Sequence, residues 1–393
     1  MYNHSPSLSA ATYQRSFWLI CFSSLLFFAS FNMIIPELPD FLSRLGGASY
    51  KGLIISLFTV TAMISRPFSG KLADKVGRKP VIIFGAVVCI FCSALYPLLT
   101  SIFGFFLLRL VHGFSTGFTP TGQTAFLGDI IPPHRRGEAT GILGTAGTVG
   151  MAGGPALGGW LATSYSLEVM FYVSSAFALL SVLIVASIRE TVEQRQRFVI
   201  NHLRIHREDL FEPRVWIPCV VMVLTAYAYG ALYTVMPDLG AHLGIHNKGV
   251  LFSYFTLASL MIRLLAGKAS DRYGRAPVLI ASSLVITAGM LLLSLATSQW
   301  IMITGVVLYG LGQGSTSPTL LAWATDLSDE RYKGRGVASL YIFMEFGIGM
   351  GAVVSGFLYD NRPDRFLITF ALCSALSFLA FLFLIRQRQQ PTA

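Results

Sequence analysis

Gly70-Lys71-Leu72-Ala73-Asp74-Lys75-Val76-Gly77-Arg78-Lys79 returns 197 positions later as Gly267-Lys268-Ala269-Ser270-Asp271-Arg272-Tyr273-Gly274-Arg275-Ala276. Glycine, acid, base, glycine and base stand at matching places, and of the basic positions only the last is lost, Lys79 becoming Ala276. The same offset carries Arg66 onto Arg263, Gly113 onto Gly310, Gly117 onto Gly314 and Asp129 onto Asp326. Agreement at one spacing reads as an internal duplication. Each decapeptide is a short polar turn between long apolar runs, in which glycine permits a tight reversal and an Asp at a helix end can pair with nearby bases. The starts of the two halves match at a slightly different offset, 201, where Ile35-Pro36-Glu37-Leu38 resembles Met236-Pro237-Asp238-Leu239. Both halves are thus expected to close their first apolar run with proline and an acid.

The apolar runs decide the fold class. The chain has 54% hydrophobic and 12% charged residues, against roughly a quarter charged in an average soluble domain. A bilayer core about 30 Å thick needs roughly 20 apolar residues per helix. Such stretches fall near 16–36, 52–73, 80–99, 102–126, 138–162, 168–188, 214–236, 248–268, 277–297, 300–325, 336–359 and 365–385. The expected architecture is an all-α integral membrane protein, twelve transmembrane helices arranged as two pseudo-symmetric six-helix bundles. The first bundle is 1–188, a polar cytoplasmic linker is 189–213, and the second bundle is 214–393. The first run continues to Pro36 without a small-residue cleavage site, so it stays as a span rather than being removed as a leader.

A net charge of +10 would point to nucleic acid in a soluble chain, but the positions of the charges say otherwise. With both termini inside, 21 of the 29 Lys and Arg fall in cytoplasmic segments, five in outer loops, and Arg66, Arg109 and Arg263 within spans. This is the positive-inside asymmetry, and it predicts a multi-pass protein of the cell inner membrane with both termini cytoplasmic and no nucleic-acid partner. Cys21, Cys89, Cys92, Cys219 and Cys373 all fall in spans, so no disulfide framework is implied.

Position by position, Gly70 to Lys79 resembles the signature loop G-x-x-x-D-[RK]-x-G-[RK]-[RK] of the major facilitator superfamily, and Gly267 to Ala276 departs from it only at its last residue. The resemblance covers both halves, essentially residues 15–386, and implies the major facilitator fold. It further implies that the loop is a cytoplasmic gate: Gly70, Asp74, Gly77 and Arg78 with Asp129 at the foot of span 4, and Gly267, Asp271, Gly274 and Arg275 with Asp326. Arg109-Leu110-Val111-His112-Gly113 resembles the family's R-x-x-q-G pattern, with His112 for the usual Gln. From that resemblance Arg109 takes a proton-coupling role, while His112 fits packing better than titration.

Span 5 separates subfamilies. Gly141, Gly150, Gly154, Pro155, Gly158 and Gly159 match G-x8-G-x3-G-P-x2-G-G in full, a pattern that resembles the exporters, mainly drug:proton antiporters. Small residues let another helix approach closely, and Pro155 is expected to bend the helix. Span 11 keeps a decayed copy, with Ala352 and Ser355 replacing Pro155 and Gly158.

A proton-coupled carrier needs a group that changes charge within its path, and Glu345 is the one acid well inside a span. At nine residues into span 11 it lies about 13 Å along the axis at 1.5 Å per residue. Glu37 and Asp238, at the outer mouths of spans 1 and 7, suit solvated gate or topology roles. Arg66 and Arg263 are placed to snorkel toward the inner interface. Asn32, Glu37, His112, Tyr227, Tyr229, Tyr233, Gln313 and Tyr341 are the substrate-cavity candidates, suited to a neutral or cationic amphipathic solute. The resulting expectation is a monomeric, non-enzymatic secondary transporter exporting a small molecule by alternating access. It would use protons as coupling ion and no other cofactor, metal or catalytic residue. The rivals are a symporter or facilitator importing a nutrient, since fold alone does not fix direction, and a membrane sensor that moves nothing.

Overall fold

A computed structural model describes residues 15–132, 136–192, 196–199, 211–328 and 333–389. Both terminal tails and most of the predicted linker lie outside the described residues. Among those described there is no strand, and twelve helices of 18 to 29 residues are α1 (Arg15–Ile34), α3 (Gly52–Lys75), α4 (Arg78–Leu95), α5 (Ile102–Ile130), α6 (Arg136–Ser164), α7 (Leu167–Ser187), α8 (Trp216–His242), α9 (Gly249–Tyr273), α10 (Arg275–Ser294), α11 (Gln299–Leu327), α12 (Lys333–Tyr359) and α13 (Phe366–Gln389). They coincide with the twelve apolar runs to within a few residues. By length and hydropathy alone nine qualify as spans, and α9 becomes a tenth if its 43° bend after Arg263 is taken as one broken crossing. α6 and α11 fall short because of their glycine and hydroxyl content.

The local chemistry of the duplication is visible at the helix ends. α3 passes to α4 through Gly77 at φ +132°, and α9 passes to α10 through Gly274 at φ +90°, values a side chain disfavours. α5 and α11 are both capped by serine: Ser101 Oγ accepts from Gly104 N at 3.1 Å and Ser298 Oγ from Ile301 N at 3.4 Å, satisfying amide donors that a helix start leaves free. The starts of the halves differ more than the sequence suggested. Pro36 does close α1, and a seven-residue α2 (Leu38–Arg44) follows it. Pro237 closes nothing, because α8 continues through it to His242; packed neighbours in a bundle re-satisfy the bond a proline removes.

Within the first half α1 packs on α6 and α7, α3 on α5, and α4 on α5 and α7; in the second half α8 packs on α12 and α13, α9 on α11, and α10 on α11 and α13. The halves meet through α3 against α12 and through α9 against α6, which are the same contact related by the duplication. One apolar core joins the second half to the end of the first that carries Leu38, Ile54, Tyr96 and Phe105. The opposite end of the first half, near the Gly70–Lys79 loop, has a separate core around Phe17, Ile82, Phe126 and Leu143. We call these the far end and the loop end. Even the lateral surface repeats: Phe68, Leu72, Phe84 and Phe118 line a groove of about 600 Å³, and Leu265, Ala269, Ala281 and Ser315, each 197 positions on, line one of about 520 Å³. Phe103 and Trp300 are 78% and 79% exposed, as suits side chains facing lipid.

Candidate functional site: the seam between the halves

At the loop end the charged residues of the signature are paired within each half. Arg78 pairs with Asp74, and its Nε donates to Asp129 Oδ2 at 3.0 Å; Arg275 donates to Asp271 Oδ1 at 2.5 Å and to Asp326 Oδ2 at 2.9 Å. Each arginine thus ties the turn after α3 or α9 to the foot of α5 or α11 in its own half. Glu190 was not foreseen. Its carboxylate accepts from the amides of Arg78 and Lys79 at 3.1 and 3.0 Å, capping α4; position 387 in the second half is Gln387. Gly70 and Gly267 have open space where a Cβ would go.

The span 5 motif is a packing surface. A Cβ on Gly150, Gly154 or Gly158 would lie 2.2, 2.5 or 2.1 Å from the carbonyl oxygens of Leu25, Ala29 and Met33, so α6 rests directly on the backbone of α1. Gly159 instead meets Asn247 of the second half, at 2.0 Å to its Oδ1. Gly141, which the motif includes, touches nothing within 4 Å. α6 runs without a break through Pro155, whose carbonyl abuts Gly249 at the start of α9.

Several residues nominated as cavity or coupling groups are committed elsewhere. Asn32 is 1% exposed and donates to Phe28 O of its own helix at 2.8 Å. Arg109 is fully buried: its Nε donates to Ile54 O at 2.8 Å, Nη1 to Tyr96 Oη at 3.3 Å, and its guanidinium lies 4.7 Å over the Phe58 ring. His112 contacts Tyr96 Oη and Cys89 Sγ at 3.4 Å each, between Phe31 and Phe58, a packing role. Tyr227 is buried in the main core. Glu37 and Asp238 are not solvated. Glu37 is 7% exposed, and Asp238 is ion-paired to Lys51 at 2.5 Å with both side chains 10% exposed.

That pair has a twin. Lys248 pairs with Asp40 of α2, so the lysine just before α3 reaches an acid in the last turns of α8, and the lysine just before α9 reaches an acid in the short helix after α1, each in the other half. Lys51 and Lys248 are themselves 197 apart, a signal the self-comparison contained. Asn361 Nδ2 to Ala48 O at 2.7 Å and Asn247 Nδ2 to Ala156 O at 3.2 Å complete the closure of the far end. Truncating one member of a buried pair strands the other charge. Lys51→Ala is therefore expected to raise labelling of a cysteine placed at Tyr233 by an impermeant maleimide several-fold from the far side, in a chain otherwise free of cysteine. Lys51→Asp with Asp238→Lys should restore protection; equal labelling in all three would show that the pair does not hold this end shut.

Toward the middle of the seam Arg66 does not snorkel. Its Nη2 donates to Glu345 Oε1 at 2.8 Å, with side chains 22% and 7% exposed, and its guanidinium lies 5.0 Å over the Tyr341 ring. This ion pair joins α3 of one half to α12 of the other. Arg109, expected with Glu345 to serve proton coupling, is not in contact with it: its guanidinium is held by Ile54 O, Tyr96 Oη and the Phe58 ring. Beside the pair, Tyr229 and Tyr233 stack at 4.4 Å and share a hydroxyl hydrogen bond of 2.9 Å; Tyr233 abuts Phe252, and Tyr229 leads through Phe255 to Tyr309. Gln313 Oε1 is buried without a partner. The arrangement is a cluster of stacked aromatics beside one carboxylate, and Tyr233, Phe252, Phe255 and Tyr309 are packed in the same core as Tyr227.

A model of the Major Facilitator Superfamily matches residues 20–244 and again 218–393. The multidrug resistance protein MdtG of Enterobacter lignolyticus is 27% identical over 368 residues, 90% of this chain and 87% of that protein. The multi-drug resistance efflux pump PmrA of Streptococcus pneumoniae is 26% identical over 351 residues, 85% of each. Among solved structures, peptide transporter POT in complex with sulfate has a TM-score of 0.79 at 13% identity over 95% of this chain and 94% of that one, a likeness of fold.

Proposed function

The chain belongs to the major facilitator superfamily, and from that premise we propose that this multi-pass membrane transporter exports a small amphipathic solute across the cell inner membrane in exchange for protons. The single observation that carries the reading is the Arg66–Glu345 pair, a titratable contact between the two halves at mid-helix. The complete span 5 motif and the efflux names of MdtG and PmrA support the outward direction.

In this proposal the loop end, with its excess of Lys and Arg, faces the cytoplasm, so the far end closed by Lys51–Asp238 and Lys248–Asp40 is the outer gate. The two halves rock about the site between them. With Glu345 ionised, its attraction to Arg66 holds α3 against α12 while the outer gate is shut, and solute enters from the cytoplasm. A proton reaching Glu345 from outside removes that attraction and favours release; its loss to the cytoplasm re-forms the pair.

The test is solute accumulation in proteoliposomes under an imposed pH gradient. Wild type should accumulate solute against its gradient and Glu345→Gln should only equilibrate it. Unchanged accumulation in Glu345→Gln would remove Glu345 from coupling.

A further inference from the structure

The duplication gives Arg66 a counterpart, Arg263, and predicts where the counterpart's partner should stand. Glu345 minus 197 is Thr148, and Tyr341 minus 197 is Gly144. The register is secure here, because Gly347 and Gly351 fall on Gly150 and Gly154 at the same offset, and α6 packs on α9 as α12 packs on α3. Yet the carboxylate is missing. Thr148 is 6% exposed and turns its hydroxyl back to Gly144 O at 2.8 Å. The aromatic ring is missing too: a Cβ on Gly144 would meet nothing within 4 Å. Where Arg66 has a carboxylate and a ring, the matching positions on α6 are a threonine and a glycine.

Arg263 is left with an unbalanced charge. Its Nε is buried without a hydrogen-bond partner, as are Arg66 Nε and Arg109 Nη2, but Arg66 has its ion pair and Arg109 two other hydrogen bonds, whereas no side-chain bond or ion pair is seen for Arg263 among the described residues; it lies near Tyr341, the ring that also carries Arg66. Along the middle of the described helices three arginines, 66, 109 and 263, stand against the single acid Glu345. Charges at this depth are costly unless paired or set in a wet cavity, and guanidinium groups match carboxylates in geometry.

We infer that Arg263, with the open space at Gly144 and no acid at Thr148, is an anion-binding site, and that the solute is an amphipathic organic anion whose acid group supplies the missing partner. The inference rests on the transport reading above and replaces the neutral or cationic solute expected from sequence. Loading fits the state described here, in which Glu345 occupies Arg66 and leaves Arg263 free. An inside-negative membrane potential also pulls an anion outward, in keeping with export.

The test uses the full chain in proteoliposomes, with 2-naphthoate and its neutral isostere 2-naphthamide as probes and protein-free liposomes as baseline. Wild type should move the carboxylate at least roughly tenfold faster than the amide, as expected when a charge-assisted hydrogen bond is made to only one of them. Arg263→Gln should bring that ratio near one, and Arg263→Lys should keep part of it. Thr148→Glu, which restores the twin acid and neutralises Arg263 internally, should abolish the preference without stranding a charge. Wild type moving the amide as fast as the carboxylate, or Arg263→Gln and Thr148→Glu keeping the preference, would overturn the inference while leaving transport in place. Movement of neither probe would contradict the transport reading and the inference with it.

Discussion

Arg66→Ala is expected to destabilise the protein by about 3–5 kcal/mol, the usual cost of leaving one member of a buried ion pair alone. Glu345 is 7% exposed and would be left in the seam without its 2.8 Å partner, while Tyr341 would lose the guanidinium over its ring. Removing both charges with Arg66→Gln and Glu345→Gln should recover most of the loss, because two neutral amides need far less solvation than one stranded carboxylate. Thermal midpoints in detergent read the stability. All these variants should lose pH-gradient-driven accumulation, so stability and coupling separate in the double variant. A midpoint for Arg66→Ala equal to wild type would mean that the pair holds nothing together.

The second large effect concerns α6. Gly158→Ala would place a Cβ 2.1 Å from Met33 O, and Gly150→Ala one 2.2 Å from Leu25 O. Neither carbonyl belongs to a flexible side chain, so α6 must lift from α1. We expect each change to cost about 1–3 kcal/mol, as overpacking does, and Gly158→Leu to prevent folding. Gly141→Ala belongs to the same motif yet enters open space, and should leave the thermal midpoint unchanged. A uniform response across the motif would show that its glycines serve flexibility rather than contact.

These two cases mark how far sequence could see. The spans were legible because each apolar run must cross the hydrocarbon, and Gly150, Gly154 and Gly158 because only a missing side chain allows backbone contact at four-residue spacing. The loop-end pairs were legible because Asp74 and Arg78 stand four residues apart across a glycine turn and repeat as Asp271 and Arg275. Arg66–Glu345 was not, since its members are 279 residues apart on helices of different halves and meet only once the register of α3 against α12 is set. Asn32 and Arg109 looked like path residues by type and depth, but polar groups in a bilayer can find partners inside one bundle: Asn32 donates to Phe28 O, and Arg109 to Ile54 O and Tyr96 Oη, with its Nη2 left unpaired. The crossed pairs of Lys51 and Lys248 lay within reach, since their offset is that of the repeat. The missing acid at Thr148 became readable only when Arg66 had a partner to compare.

The central claim is that proton and solute movements are linked through Glu345. The direct measurement is proton flux into proteoliposomes holding a trapped pH dye when an outward gradient of 2-naphthoate is imposed. The account predicts inward proton movement that starts with solute efflux in wild type. In Glu345→Gln, solute should still run down its gradient with no accompanying change in internal pH. Solute efflux by wild type without proton entry, or proton entry that persists in Glu345→Gln, would contradict it.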